Sequence, residues 1–216
     1  CHFGHELGYG PLVSYARAFG FGRPTGIELP GETSGLLPDP SWKGMNRGLP
    51  WYPGDTVNLS IGHGFLLVTP LQVAYAIGAI ANGGTLHRPR LIRSYLLANE
   101  AVTRKRESAP SRVPVSASTL ATMRRGMWEV VNTPNGSGRR AALPGLTIAG
   151  KTGSAMLGPK TYAWFGAYAP FENPRVAIAI VVENAVTGGR DAAPIARQAL
   201  ASYFDITPHL ENDDEN

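Results

Sequence analysis

Gly150-Lys151-Thr152-Gly153-Ser154 is the run in this 216-residue chain whose residue types and spacing carry the sharpest chemical meaning. It follows Leu146-Thr147-Ile148-Ala149, a strand-forming stretch. A lysine held on a strand supplies a point charge, and the Thr152 and Ser154 hydroxyls, two residues apart, lie on one strand face. The two glycines leave room for another backbone alongside. Such a segment is a receptor for an extended peptide ending in a carboxylate, added as an extra strand. Its plainer alternative is a glycine-flanked strand end with an ordinary surface lysine. The same residues also fit G-x-x-x-x-G-K-S/T, the phosphate-cradling loop, from Gly145 to Thr152. That loop needs a strand before its first glycine, where Pro144 stands. It needs a helix after its lysine, where Gly153, Gly158 and Pro159 break one. A nucleotide-binding module is therefore the alternative of another class.

Other clusters are weaker. Asn58-Leu59-Ser60-Ile61-Gly62-His63-Gly64 puts a serine near a histidine, but it is not a nucleophile elbow and reads as a glycine-bracketed turn. Cys1-His2 with His5 has metal-like spacing but too few ligands, so no metal and no cofactor is expected. One cysteine excludes an internal disulfide. Arg104-Lys105-Arg106 lies in a polar stretch without interleaved aromatics and reads as a solvated turn; nucleic acid is not an expected partner. Net charge is +4, and four of the sixteen acids sit in the last six residues, Glu211 to Asn216; with those set aside, twelve acids face twenty bases, or +8. The longest purely apolar run, Val176 to Val182, is far short of the roughly 18 residues that span a bilayer.

The elements that must position the lysine motif follow from periodicity and breakers. Glycine (26) and proline (18) make up about a fifth of the chain, against roughly 12% on average, so short elements joined by many turns are expected. Gly10 to Gly20 reads as a helix with Pro11 in its first turn and Leu12, Tyr15, Ala16 and Phe19 on one face. Residues 21–55 read as an ordered, loop-rich excursion. Thr69-Pro70-Leu71-Gln72 opens a helix with a capping box, which should run to about Ala81 before Asn82-Gly83-Gly84. Another helix starts near Ser116 or Ser118, with Leu120, Met123, Met127, Trp128 and Val131 as its buried stripe. The polar loop Thr133 to Arg140 follows it. Then come three strands, Leu146–Gly150, Tyr162–Ala169 and Arg175–Glu183, the last buried on both faces by its composition. Pro170 to Pro174 makes the last two a hairpin. A final helix runs from Asp191 to about Phe204. This order is α+β: residues 1–204 form one incomplete domain, and 205–216 an acidic, disordered tail.

The lysine motif has ordered companions. Phe19-Gly20-Phe21-Gly22, Thr25-Gly26-Ile27, Leu29-Pro30-Gly31-Glu32, Trp51-Tyr52-Pro53-Gly54-Asp55-Thr56, Ser60-Ile61-Gly62, Thr69-Pro70-Leu71-Gln72, Ala163-Trp164-Phe165 and Ala192-Ala193-Pro194-Ile195-Ala196 occur in sequence around Lys151-Thr152-Gly153. The set resembles the C-terminal part of the transpeptidase domain of class B penicillin-binding proteins, closest to the elongation-type penicillin-binding protein 2 group. The resemblance implies an antiparallel sheet flanked by helices, as in serine β-lactamases, incomplete at the N-terminus. It implies D,D-transpeptidation of peptidoglycan stem peptides ending in D-Ala-D-Ala, inhibition by β-lactams, and no cofactor. It implies a parent on the periplasmic face of the bacterial inner membrane, anchored by a segment upstream of this chain. There it would work with a glycosyltransferase, cell-shape proteins and the N-terminal part of its own domain. A D,D-carboxypeptidase or β-lactam sensor on the same fold is the alternative.

The superfamily signature combines S-x-x-K, an S-D-N-type motif and K-T-G. No serine here has lysine three residues on or asparagine two residues on, so the nucleophile is expected upstream and this chain alone is expected to be inactive. By resemblance the catalytic residues are Lys151, which sets positive potential near the nucleophile, and Ser154, whose backbone N–H is half of an oxyanion hole. Thr152, Gly153 and Ser154 bind substrate, the two hydroxyls taking its carboxylate. Ser154 replaces the threonine common at this place, and His63 stands where glutamine is expected.

Overall fold

The computed structural model describes residues 2–97, 100–103 and 109–207. The basic run 104–106 and most of the acidic tail lie outside them. The chain forms two compact units: residues up to Ala79 with Gly83–Ser116, and Ile80–Asn82 with Ala117 onward.

The first unit holds helices α1 (His2–Leu7), α2 (Tyr9–Ala18), α3 (Pro40–Arg47), α4 (Pro53–Ser60) and α5 (Pro70–Ala81), the last ending just inside the second unit. Two small antiparallel pairs accompany them, β1 (Thr85–Leu86) with β4 (Ser111–Arg112) and β2 (Ser94–Leu97) with β3 (Glu100–Thr103). Sequence periodicity foretold neither pair. The expected start and stop of α5 are both present: Thr69 N–H donates to Gln72 Oε1 at 2.9 Å and Gln72 N–H to Thr69 Oγ1 at 3.1 Å. In α2 the buried residue is Val13, and Tyr15, expected on the buried stripe, is exposed.

The excursion 21–55 is ordered, but it is not all loop. Asp39 caps α3 by accepting from Trp42 N–H at 2.7 Å, with Pro40 at the first helical position and Gly48 left-handed at the end. Asp55 accepts from Tyr52 N–H at 2.7 Å at the start of α4. Pro40 and Pro53, inside the stretch expected to be loop-rich, open helices, because proline's missing N–H costs nothing in the first turn. Buried polar groups hold the excursion. Glu32 accepts from Thr25 N–H, Thr25 Oγ1 and Gly26 N–H at 2.7, 2.5 and 2.9 Å. Buried Gln72 donates to the carbonyls of Arg23 and Ser34 at 2.9 and 2.8 Å. Buried Lys43 pairs with Asp55 at 2.5 Å and sits 4.4 Å from the Tyr52 ring centre.

The second unit contains helix α6 (Ala117–Asn132), a 3₁₀ turn (Arg139–Ala141), strands β5 (Ala149–Leu157), β6 (Lys160–Ala169) and β7 (Val176–Glu183), a single π-helical turn (Gly188–Ala192) and helix α7 (Ala193–Tyr203). The strands form one antiparallel sheet in the order β5-β6-β7. Along β6, Ala163, Phe165, Ala167 and Ala169 are fully buried. The last three pack with Val131 of α6 and Ala193, Ala196 and Leu200 of α7. Burying a side chain the size of Phe165 or Leu200 stabilises by about 1.5–3 kcal/mol, so this face holds the unit together. On the opposite face Tyr168 is buried as well. Arg124 donates to its hydroxyl at 3.2 Å and to the Phe171 carbonyl at 2.6 Å, pinning the β6–β7 turn to α6.

Three expectations are corrected here. The first strand begins at Ala149 and runs through the lysine motif to Leu157; Leu146 to Ile148 are buried lead-in. β7 is half-buried along its length, since it pairs with β6 on one side and is a sheet edge among the described residues. Met123 of α6 is exposed, while Leu120, Met127 and Val131 of the expected stripe are buried.

Candidate active site

Lys151, Thr152, Gly153 and Ser154 lie in the interior of β5, paired with Gly166, Phe165, Trp164 and Ala163 of β6. Strand alternation separates them. Thr152 and Ser154 share the face of buried Phe165 and Ala163. Lys151 and Gly153 are on the other face, with Gly166 and Trp164. The motif thus presents its two hydroxyls and its lysine on opposite faces of one strand. The hydroxyls open on a cleft of about 640 Å³, which Lys151 does not line. Exposed Lys151 donates from Nζ to the Thr152 carbonyl at 2.6 Å. Among the described residues β5 pairs with β6 alone, so its outer edge offers backbone groups to an added strand.

Two segments build the cleft around Thr152 and Ser154. The first is the loop after α6. Gly138 N–H donates to the Val130 carbonyl at 2.9 Å, and a Cβ on Gly138 would come within 2.9 Å of the Phe165 ring, so the loop lies flat on the core. Asn132 ties the end of α6 to the lead-in of β5 through the Ile148 carbonyl, 2.8 Å away. This places Ser137 Oγ 2.8 Å from Thr152 Oγ1. The second segment is the π-helical turn. A Cβ on Gly188 would stand 2.0 Å from the Trp164 carbonyl oxygen and 2.6 Å from that of Gly153, so only glycine lets the turn lie on the β5–β6 pair. Asp191 Oδ2 accepts from Val186 and Thr187 N–H at 2.8 and 2.9 Å and fixes the approach to the turn. Those hydrogen bonds, Thr187's foremost, with Arg190 and Arg140 nearby, hold the Asp191 carboxyl below the usual carboxylate range.

Ser137, Arg139, Arg140, Thr187, Gly188, Gly189 and Arg190 line this cleft, and sequence reasoning missed them as site residues. Asn135-Gly136-Ser137-Gly138 and Thr187-Gly188-Gly189 were visible as glycine-rich breaks, but nothing local shows that they converge on β5. The weaker candidates are accounted for by packing. Ser60 Oγ donates to the Val57 carbonyl at 2.7 Å, and His63 N–H donates to the Asn58 carbonyl at 2.9 Å, closing α4 with a turn. Cys1 lies outside the described residues, and His2 Nε2 sits 3.3 Å from Glu6 Oε1. No described group of three or more His, Cys, Asp or Glu side chains could hold a metal. The phosphate-loop pattern lies on Gly145 through Thr152, whose second half is extended strand, so no helix N-terminus is available to cradle phosphate. No helix among the described residues is long and apolar enough to cross a membrane.

An antiparallel sheet packed against helices, with Lys-Thr-Gly inside an open-edged strand, has known counterparts. The chain belongs to the penicillin binding protein transpeptidase domain family, whose profile matches residues 2–201. Within it the chain is of the class B, PBP2 type, with the penicillin-binding protein and serine β-lactamase-like fold. It is 35% identical over 220 residues to the peptidoglycan D,D-transpeptidase MrdA of Haemophilus influenzae, covering 93% of this chain and 33% of that protein. It superposes on Pseudomonas aeruginosa PBP2 in complex with WCK 5153 with a TM-score of 0.83, at 31% identity over 98% of this chain and 48% of that one. The match to PBP2 of Helicobacter pylori, solved in complex with MreC, has a TM-score of 0.80 at 31% identity and covers 94% of this chain and 37% of that one. The chain therefore spans about a third of the length of the curated relative.

Proposed function

We propose that this chain is the carboxylate-binding and oxyanion-stabilising part of a peptidoglycan D,D-transpeptidase. One observation carries the reading: the hydroxyls of Thr152 and Ser154 flank each other on a strand whose outer edge is unpaired among the described residues, and they open on a peptide-sized cleft. A stem peptide ending in D-Ala-D-Ala adds to β5 as a strand and places its terminal carboxylate on the two hydroxyls. The scissile carbonyl oxygen then lies toward the Ser154 N–H, which stabilises the charge that develops there. Lys151, on the other face, raises the positive potential where the serine of an S-x-x-K segment approaches. That serine oxygen attacks the carbonyl, the terminal D-Ala leaves as a free amino acid, and an ester remains. An acceptor amine cleaves the ester, forms the cross-link and returns the proton to the serine oxygen.

The H. influenzae relative's name supports peptidoglycan as the substrate, and the H. pylori complex supports an MreC-type protein as a partner. The reading carries with it β-lactams as ligands and the periplasmic face of the inner membrane as the site of action. The test is labelling of the full-length protein with a fluorescent penicillin, beside a nucleotide analogue with magnesium. Covalent labelling at an S-x-x-K serine is expected. Reversible, magnesium-dependent nucleotide binding without labelling would replace this reading with a nucleotide-binding one. Product analysis with a stem peptide separates cross-linking from simple hydrolysis, the outcome for a carboxypeptidase.

A further inference from the structure

The π-helical turn beside the cleft is tied down by one acid. Asp191 Oδ2 accepts from the N–H groups of Val186 and Thr187 at 2.8 and 2.9 Å, and Thr187 Oγ1 accepts from Arg190 N–H at 3.3 Å. The pattern is a capping box lengthened by one residue. That residue is the one a π-helical turn inserts: Ala193 N–H reaches back five positions to the Gly188 carbonyl. Downstream, Ala193, Ala196 and Leu200 of α7 are buried in the core, so the far side of the turn is fixed. Upstream, Val186 is 60% exposed, and packing does little to hold it. The Asp191 side chain ties this loose side, Val186 and Thr187, to the fixed one.

What the turn rests on gives this tie its consequence. A Cβ on Gly188 would stand 2.6 Å from the Gly153 carbonyl oxygen, so the turn bears directly on that group. The Gly153 carbonyl and the Ser154 N–H belong to one planar peptide, so whatever fixes the oxygen also aims the N–H. That N–H is the donor assigned above to the developing oxyanion. The neighbouring Gly189 meets the Thr152 methyl less closely: its Cβ would lie 3.6 Å away, an ordinary contact. The turn therefore acts on the oxyanion peptide more than on the carboxylate-binding hydroxyl. We infer that Asp191 is a positioning residue for acyl transfer: through Gly188 it fixes the Gly153–Ser154 peptide, so that the Ser154 N–H is aimed before the charge develops. It works as a well-placed acceptor and not as a charge, since one of its oxygens takes both N–H groups. Asp191 touches no reacting atom and moves no proton. This inference rests on the function proposed above.

The test sets geometry against charge at this position in the full-length protein. Asp191→Asn keeps an oxygen where Oδ2 lies and loses the charge. Asp191→Glu keeps the charge and carries its oxygens one methylene further out. Asp191→Ala removes both, and gives the same comparison if the longer glutamate prevents folding. For each variant, stopped-flow labelling with a fluorescent penicillin separates the acylation rate constant at saturation from the dissociation constant of the non-covalent complex. Denaturant unfolding is recorded beside it. A donor used only in the transition state moves the rate constant and spares binding. Asp191→Asn is expected within about threefold of the unaltered protein, a neutral acceptor replacing a charged one. Asp191→Glu and Asp191→Ala are expected to acylate about tenfold more slowly, part of the cost of losing an oxyanion donor outright, with little change in the dissociation constant. Equal slowing in Asp191→Asn and Asp191→Ala would make the charge the working part and overturn the inference. Unchanged rates in Asp191→Glu and Asp191→Ala, or a loss confined to the dissociation constant, would overturn it too. Absence of any acyl-enzyme in the unaltered protein removes the function proposed above, and this role with it.

Discussion

Lys151 and Thr152 are neighbours in sequence but work on opposite faces of β5, and this separates what their substitutions should do. Lys151 is exposed, so Lys151→Ala in the full-length protein should fold normally. It should lower the rate of penicillin acylation by roughly 10²-fold, the scale for losing a preorganised electrostatic group. Unchanged labelling in the folded variant would make it a plain surface charge. Ser137 acts through another group. Its hydroxyl, 2.8 Å from that of Thr152, sets the direction in which Thr152 presents its own proton. Ser137→Ala should slow acylation about fivefold, one ordinary hydrogen bond's worth. Ser137→Thr, which keeps the hydroxyl, should restore the rate. Failure of that rescue would show that Ser137 only fills space.

At the scale of elements, the site depends on a strand and a turn packed closer than side chains permit. Gly188 has its missing Cβ 2.0 Å from one backbone oxygen and 2.6 Å from another. Neither oxygen can move without disturbing the β5–β6 ladder. Gly188→Ala is therefore expected to cost about 1–3 kcal/mol, the range for overpacking, measured by denaturant unfolding. The same variant should weaken penicillin labelling, because the turn that carries Thr187 and Arg190 must lift off the strand. Gly158→Ala, in the open β5–β6 turn with no atom within 4 Å, is the comparison that isolates crowding. It is strained by its φ of 59° yet meets no neighbour, so it should leave labelling alone. Equal loss of labelling in both variants would refute the crowding argument.

Acid is the condition to which the whole molecule should respond. Glu32, Asp55 and Asp191 are held below the usual carboxylate range in the fold. For Glu32 and Asp55 burial pushes the other way, but it is outweighed by hydrogen bonds from Thr25 and its neighbours in one case and by Lys43 in the other. A carboxyl whose folded pKa is depressed contributes stability in full above its unfolded value, ordinarily near 4. That contribution is lost as pH falls through the unfolded value toward the folded one. Unfolding free energy should therefore drop as pH falls below about 5. The drop should be shallower in Asp55→Asn, which should also be less stable at neutral pH, because buried Lys43 then lacks its counter-charge. Parallel acid limbs for the two proteins would show that Asp55 is not held low.

What the sequence determined by itself is local. Thr69-Pro70 with Gln72 specified a helix start through its own reciprocal hydrogen bonds, and the Pro170–Pro174 break between two apolar strands specified a hairpin. The Lys-Thr-Gly run on a β-forming stretch specified a strand that carries a lysine and two hydroxyls. The resemblance added the family, since ordered motifs scattered over the chain carry information that periodicity does not. In the structure the motifs at Glu32, Asp55 and Gln72 are the polar ties that keep the excursion folded. The tertiary structure decided what depends on distant segments meeting. Ser137 reaches Thr152 across 15 positions, and three arginines from two turns converge on one cleft, because flat glycine-rich backbone packs on β5 and β6. It also decided that β7, apolar throughout, is only half-buried. A strand's composition records what it can bury, whereas its burial is set by which neighbours pair with it and cover it.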